Sequence, residues 1–143
     1  MAGLTLRGTA AYTDSHLTED APVVKGLNGD RMPFVPKVTG SLAADYRFAL
    51  SGLQAWVGGS VNHIGERQSN FSKQANVLTV PAYSTVNLNA GVEINQVRVT
   101  VYAKNLNDER GINFINSVGF PLNPYTAGII QPRTLGVDVA YRF

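Results

Sequence analysis

The residues with chemical reach are few and scattered. His16 and His63 are the only histidines. Neither has a carboxylate at the spacing a metal centre uses, so both read as histidines in or beside surface loops. The chain contains no cysteine, which excludes thiolate zinc sites, disulfides and cysteine nucleophiles together. Asp14, Glu19, Asp20 and Asp30 make one region acidic enough to attract a cation, although a solvated loop is the better account of them. Residues 26–30, "GLNGD", have turn chemistry but neither phosphate-loop nor calcium-loop spacing. Gly58 and Gly59 fall inside an extended pattern, where paired glycines mark a bend or a close backbone approach. These residues give no reason to expect a catalytic centre, a metal site or a cofactor.

The remaining composition describes a scaffold. Twelve Lys and Arg oppose ten Asp and Glu, and the net charge of +2 is spread along the chain. No basic patch is interleaved with aromatics, so a nucleic-acid partner is not expected. Hydrophobic residues reach 44% while charged ones are only 15%, low for a soluble domain. Fourteen Gly and seven Pro argue against a helical protein. The first sixteen residues place Arg7 within their apolar part and sustain no hydrophobic run, so they are not read as a signal peptide. The longest uncharged stretch, Phe48 to Gly65, contains Gln54, Asn62 and His63 and makes a poor transmembrane helix. A membrane would have to be crossed by strands.

Period-two alternation recurs six times. Leu4, Leu6, Gly8, Ala10 and Tyr12 oppose Thr5, Arg7 and Thr9. The same alternation runs through residues 37–48, 53–62, 85–94, 97–104 and 134–143. Each segment has an apolar and a polar face, which a helix would mix. The spacing therefore predicts an all-β chain: an antiparallel up-and-down meander of about six long strands. Two connections are short, near residues 49–52 and 95–96, and three are long, near 14–36, 63–82 and 105–132. Short and long alternate strictly, which places all turns on one side and all loops on the other. Transmembrane barrels have that asymmetry. The inward face then carries Arg7, Lys37, Asp45, Arg47, Glu93, Arg98, Lys104, Asp138 and Arg142. A soluble antiparallel β-sheet binding protein would also alternate, but with shorter strands.

One pentapeptide occurs nearly twice: "ADYRF" at 44–48 and "VAYRF" at 139–143. Both end strands that run toward the short-turn side. In both, the aromatics, Tyr46 with Phe48 and Tyr141 with Phe143, lie on the apolar face while the arginine lies on the polar face. Such residues suit an interfacial girdle, with the two copies at the same depth.

At this point the chain resembles the C-terminal portion of a TonB-dependent outer-membrane receptor barrel. "VYAKNLNDER" (101–110) is similar to the family's penultimate strand and the start of its last loop, with Asn107 replacing a usual aromatic or apolar residue. "QPRTLGVDVAYRF" (131–143) is similar to its closing strand. "RMPFVPKVTGSLAADYRF" (31–48) and "VPAYSTVNLNAGVEI" (80–94) resemble earlier segments. Val137, Val139, Tyr141 and Phe143 resemble the terminal signal read by the barrel assembly machinery.

The resemblance implies a barrel of about 22 strands around a plug, in the outer membrane of a Gram-negative bacterium. It implies a receptor, not an enzyme, taking up siderophore-iron or a similar scarce nutrient. Outer-membrane lipid, the remaining barrel, the plug, TonB through that plug, and the assembly machinery are the implied partners. Residues 1–143 would be a C-terminal barrel part without plug or signal peptide. Six strands fall short of the roughly eight that close a spanning barrel, so transport by this piece alone is not expected. A small outer-membrane barrel or oligomerising porin-like protein is the alternative. The loop aromatics Phe71, Phe114, Phe120 and Tyr125 are candidates for contacting a hydrophobic or aryl ligand, with loop packing the preferred role for each.

Overall fold

The computed structural model describes residues 2–71, 77–120 and 123–143, with residues 117–120 and 123–124 as backbone alone. Ten strands follow in chain order: β1 (Gly3–Tyr12), β2 (Val38–Leu50), β3 (Leu53–Ile64), β4 (Arg67–Gln68) and β5 (Thr79–Val80), then β6 (Tyr83–Ile94), β7 (Val97–Lys104), β8 (Ile112–Phe120), β9 (Asn123–Ile129) and β10 (Thr134–Tyr141). Six of them form one antiparallel sheet in the order β1-β2-β3-β6-β7-β10. The six alternating segments are these six strands. β2 extends to 13 residues and β3 and β6 to 12. That length suits a span across hydrocarbon, which takes about 9–11 tilted residues.

The two tight turns explain why register is continuous across the sheet. Ser51 and Gly52 both have positive φ, 51° and 83°, the left-handed pair that a two-residue turn needs to match strand twist. Asn95 (φ 55°) opens the other turn, and asparagine tolerates this region better than most residues. Pairing then runs Phe48 to Ala55, Ala55 to Val92, Val92 to Val99 and Val99 to Val139. Because side chains alternate with period two, this register puts the Leu and Val positions of the sheet on one face and its charged positions on the other.

The long connections are not structureless, which departs from the reading of the sequence. The first contains the bridges His16–Arg31 and Ala21–Gly26 and a 3-10 turn at Pro22–Val24. The second holds the β4–β5 ladder, and the third holds the β8–β9 hairpin. His63 also lies within β3 instead of a loop. Short ladders and hairpins interrupted by bulges carry too few alternating positions to be read from sequence.

The sheet is a single layer, so its centre is not a core. Among the described residues other than glycine, six are buried: Asp30, Ala55, Arg67, Phe71, Val80 and Asn105. Only Ala55 belongs to the six-stranded sheet. The tertiary packing lies in the connections on the long-loop side, while Leu4, Leu6, Leu42, Val57, Val61, Leu88, Val101, Leu135, Val137 and Val139 stand exposed on one sheet face.

Candidate functional site

Two features gather polar chemistry: the charged face of the sheet and the cluster of long connections. On the sheet, a trough of about 720 Å3 is lined by Arg7, Asp45, Arg47, Trp56, Glu93 and Asp138 with their neighbours. Arg7 donates to Asp45 across β1 and β2, and Arg98 donates to Glu93 at 2.9 Å across β6 and β7. Each pair joins adjacent strands on an exposed face, so each contributes little stability and chiefly fixes side-chain position.

Glycines make room for the larger side chains. A Cβ on Gly91 would collide with the Trp56 ring and with the Val99 carbonyl, so the indole lies flat over the neighbouring strand. Tyr102 covers Gly136 in the same way, and Asp45 and Asn89 converge over Gly58. The close approach expected at Gly58 and Gly59 is therefore present, and it serves side chains on both faces: Leu88 would lie 2.9 Å from a Cβ on Gly59. Arg98 sits 5.5 Å from the Trp56 ring centre in a cation–π contact.

The long connections interlock. Phe34 N–H donates to the Gln68 carbonyl at 2.8 Å, and its ring lies 6.4 Å from that of Phe114. Buried Arg67 donates to the carbonyls of Gly65 and Ile112 and stands 5.5 Å from the Tyr83 ring. Tyr83 donates to Asn113 at 3.2 Å. All three long connections are thus tied together near their bases.

The "NLNDE" stretch proves to be a knot that the sequence did not disclose. Asn105 (φ 50°) donates to the carbonyls of Glu109 and Gln131 at 2.9 and 2.8 Å, and its Oδ1 accepts from Glu109 N–H at 2.9 Å. Asn107, read above as a small departure from the family pattern, accepts from Val86 N–H at 3.0 Å and donates to Ser84 carbonyl at 2.9 Å. Its side-chain amide stands in for a peptide group where β6 outruns β7. Asp108 accepts from Arg133 N–H at 3.0 Å and from the Arg110 guanidinium at 2.9 Å. The Arg133 bond foremost, then Arg110, hold its carboxyl below the usual carboxylate range against an opposing desolvation effect. Replacing Asn105 with Ala removes three side-chain bonds and places alanine at a left-handed φ. The expected loss is about 3 kcal/mol, read from the urea midpoint of the folded barrel in detergent. A loss below about 1 kcal/mol would show that the knot is not structural.

The residues singled out from sequence are placed as follows. Tyr46 and Phe48 stack with centroids 5.6 Å apart, and Tyr141 meets Phe143 edge-on at 5.1 Å. Tyr141 also donates to Gln96 at 2.8 Å. The two pentapeptides are not level along the hydrogen-bond ladder. Phe48 shares a row with Val139, and Phe143 lies four residues further on, four strand steps away. One residue per strand, about 3.3 Å against about 4.8 Å, corresponds to an inclination of about 35°. An upright sheet would separate the motifs. Strands inclined by that amount bring them to one depth, provided each row climbs away from the short-turn side between β2 and β10. Transmembrane barrel strands incline by about 35–45°.

Of the four loop aromatics, Phe71 is buried with its ring against Gly26, while Phe114 and Tyr125 are about half exposed. The side chain of Phe120 lies outside the described residues. Asp14 stands 3.4 Å from His16, a pairing the sequence spacing did not suggest, and His63 bonds Ser84 at 2.9 Å on the aliphatic side of the sheet. Among the described residues, no three metal-ligating side chains converge.

A single-layer sheet with one aliphatic and one charged face, short turns at one end and built loops at the other, is a segment of a barrel wall. The family model for the β-barrel of TonB-dependent receptor-like proteins matches residues 2–106, and the chain belongs to that family. Among solved structures, the ferric yersiniabactin uptake receptor FyuA from Yersinia pestis shares the fold with a TM-score of 0.83. The match covers 99% of this chain at 21% identity, and the chain spans 21% of the length of that receptor chain.

Proposed function

We propose that residues 1–143 form the C-terminal part of the barrel of a TonB-dependent outer-membrane receptor for siderophore-iron or a similar scarce nutrient. One observation carries the reading: the register sorts ten exposed aliphatic side chains onto one face and the charged trough onto the other. The aliphatic face meets outer-membrane lipid, bounded by Tyr46, Phe48, Tyr141 and Phe143 as an interfacial girdle. The charged face lines the lumen around the plug, which carries the contact to TonB. Strands β1 and β10 each have one unpaired edge, and in hydrocarbon each unpaired backbone group costs several kcal/mol. The remaining barrel strands pair with them, and transport requires the assembled whole.

Val137, Val139, Tyr141 and Phe143 serve as the signal gripped by the barrel assembly machinery. The siderophore assignment is supported by the uptake of ferric yersiniabactin by FyuA. Phe114 and Tyr125 are the exposed loop aromatics available to such a ligand.

Spin labels in the receptor carrying this segment test the orientation. Labels at Val101 and Val137 are expected to collide with oxygen dissolved in the bilayer, and labels at Thr100 and Asp138 with an aqueous paramagnetic complex. Equal accessibility at neighbouring positions would sink the reading.

A further inference from the structure

Arg67 is the one buried cation among the described residues, and none of them offers it a carboxylate. A buried charge without a counter-ion is a costly way to gain stability, so its value lies in where it fixes its partners. Those partners belong to three elements. The guanidinium donates to the Gly65 carbonyl between β3 and β4 and to the Ile112 carbonyl at the first residue of β8. It also stands 5.5 Å from the ring of Tyr83, which opens β6. Tyr83 alternates onto the charged face with Thr85, Asn87 and Glu93. The Gly111 backbone lies against the same ring, where a Cβ would come within 2.5 Å of it. The Gly111 carbonyl in turn accepts from Ile130 N–H at 2.9 Å. Both strands of the β8–β9 hairpin therefore leave from one clamped point, on the charged side of the wall.

The hairpin has two unlike sides. Pairing runs unbroken from Phe114–Gly128 to Ser117–Tyr125, three rows apart, so Phe114 and Tyr125 fall on opposite faces. The Phe114 side is closed by the Phe34 ring at 6.4 Å, and Phe34 N–H is held by the Gln68 carbonyl beside Arg67. Tyr125 makes no ring contact or hydrogen bond among the described residues and is half exposed. We infer that Arg67 is a positioning residue that sets the hairpin in place before any ligand arrives. The hairpin and the first two long connections form one rigid block, with Phe114 spent inside it and Tyr125 presented on its free side. The inference rests on the function proposed above and deepens it. Tyr125, not Phe114, is the aromatic a ligand meets, and it meets it on a hairpin that does not swing.

The test measures distances between spin labels in the complete receptor in outer membranes. A label at Ala127 is paired with one at Leu88 on the wall, and separately with one at Val23 in the first connection. Each pair is expected to give a single narrow distance. Arg67→Met keeps the apolar stem but no donor, and is expected to broaden both distributions about twofold. Arg67→Lys can still donate to Ile112 and sit over Tyr83, and is expected to keep them narrow. Gly111→Ala forces the Tyr83 ring aside with Arg67 intact, and is expected to broaden the Ala127–Leu88 distance. Heat-modifiable mobility confirms that each barrel has assembled. On whole cells, an impermeant maleimide is expected to react with Tyr125→Cys about tenfold faster than with Phe114→Cys. Several distances without any change at Arg67, distributions as narrow in Arg67→Met, or equal maleimide rates would overturn the inference. Should Arg67→Met fail to assemble, the label pairs alone and Gly111→Ala still decide it. Unchanged iron-limited growth with both Phe114 and Tyr125 replaced by Ala would sink the ligand reading, while the distances would still decide the block.

Discussion

Deleting Phe143 from the receptor that carries this segment is expected to reduce assembled barrel in the outer membrane severalfold, whereas Phe48→Ser is expected to leave most of it. The two aromatics share local chemistry. Each follows a tyrosine and an arginine at the end of a strand, and each contacts its tyrosine ring within 6 Å. At the girdle, losing one such ring costs at most the burial of an interfacial aromatic, about 1–3 kcal/mol. Phe48 is partly covered by its own strand pairs and continues into a tight turn, so a folded barrel absorbs that loss. Phe143 is fully exposed just beyond β10, where the proposed assembly factor would take hold of the strand. Heat-modifiable mobility of the receptor in membrane fractions measures both variants. Equal effects would preserve the girdle and remove the assembly role.

The second large effect concerns water. Expressed alone without detergent, residues 1–143 are expected to aggregate. Ten aliphatic side chains on the outward face, from Leu4 to Val139, are between 44% and 71% exposed. Full burial of an exposed Leu or Val is worth about 1.5–3 kcal/mol, so each would gain roughly half of that, and together they form a contiguous apolar surface of the kind that monomeric soluble proteins avoid. The open edges of β1 and β10 add templates for strand addition. Among the described residues no second layer covers either face, so the chain in water is driven to associate through both. Size exclusion and light scattering with and without detergent decide the matter. A monodisperse, detergent-free monomer with cooperative unfolding would contradict the membrane assignment.

The six-stranded sheet was legible because its signal is local. Alternation in segments such as 97–104 assigns each side chain to a face, and tight turns at Ser51-Gly52 and Asn95-Gln96 leave only one antiparallel register. Polarity and turn chemistry are properties of the residues themselves, so the strands of the main sheet and the facing of their side chains follow without coordinates. The aromatic pairs Tyr46–Phe48 and Tyr141–Phe143 were legible for the same reason, and their relative height was not. Height depends on register summed over four strand steps and on the inclination of the sheet. The interlocked connections escaped the sequence altogether. Arg67 falls in a long connection and went unremarked in the sequence, yet it is buried and donates to the Ile112 carbonyl 45 residues away. Phe71 reads as a candidate ligand contact and instead packs on Gly26. Asn105 and Asn107 read as loop asparagines and act as backbone surrogates joining β6, β7 and the approach to β10. In each case the deciding partner is distant in sequence and the contact is a hydrogen bond or a ring face without periodicity. The residues alone determined which side chains share the aliphatic face and which share the charged one. Only the tertiary structure decided where the loops hold one another and which charges pair across strands, because long-range pairing selects among partners that composition leaves equivalent.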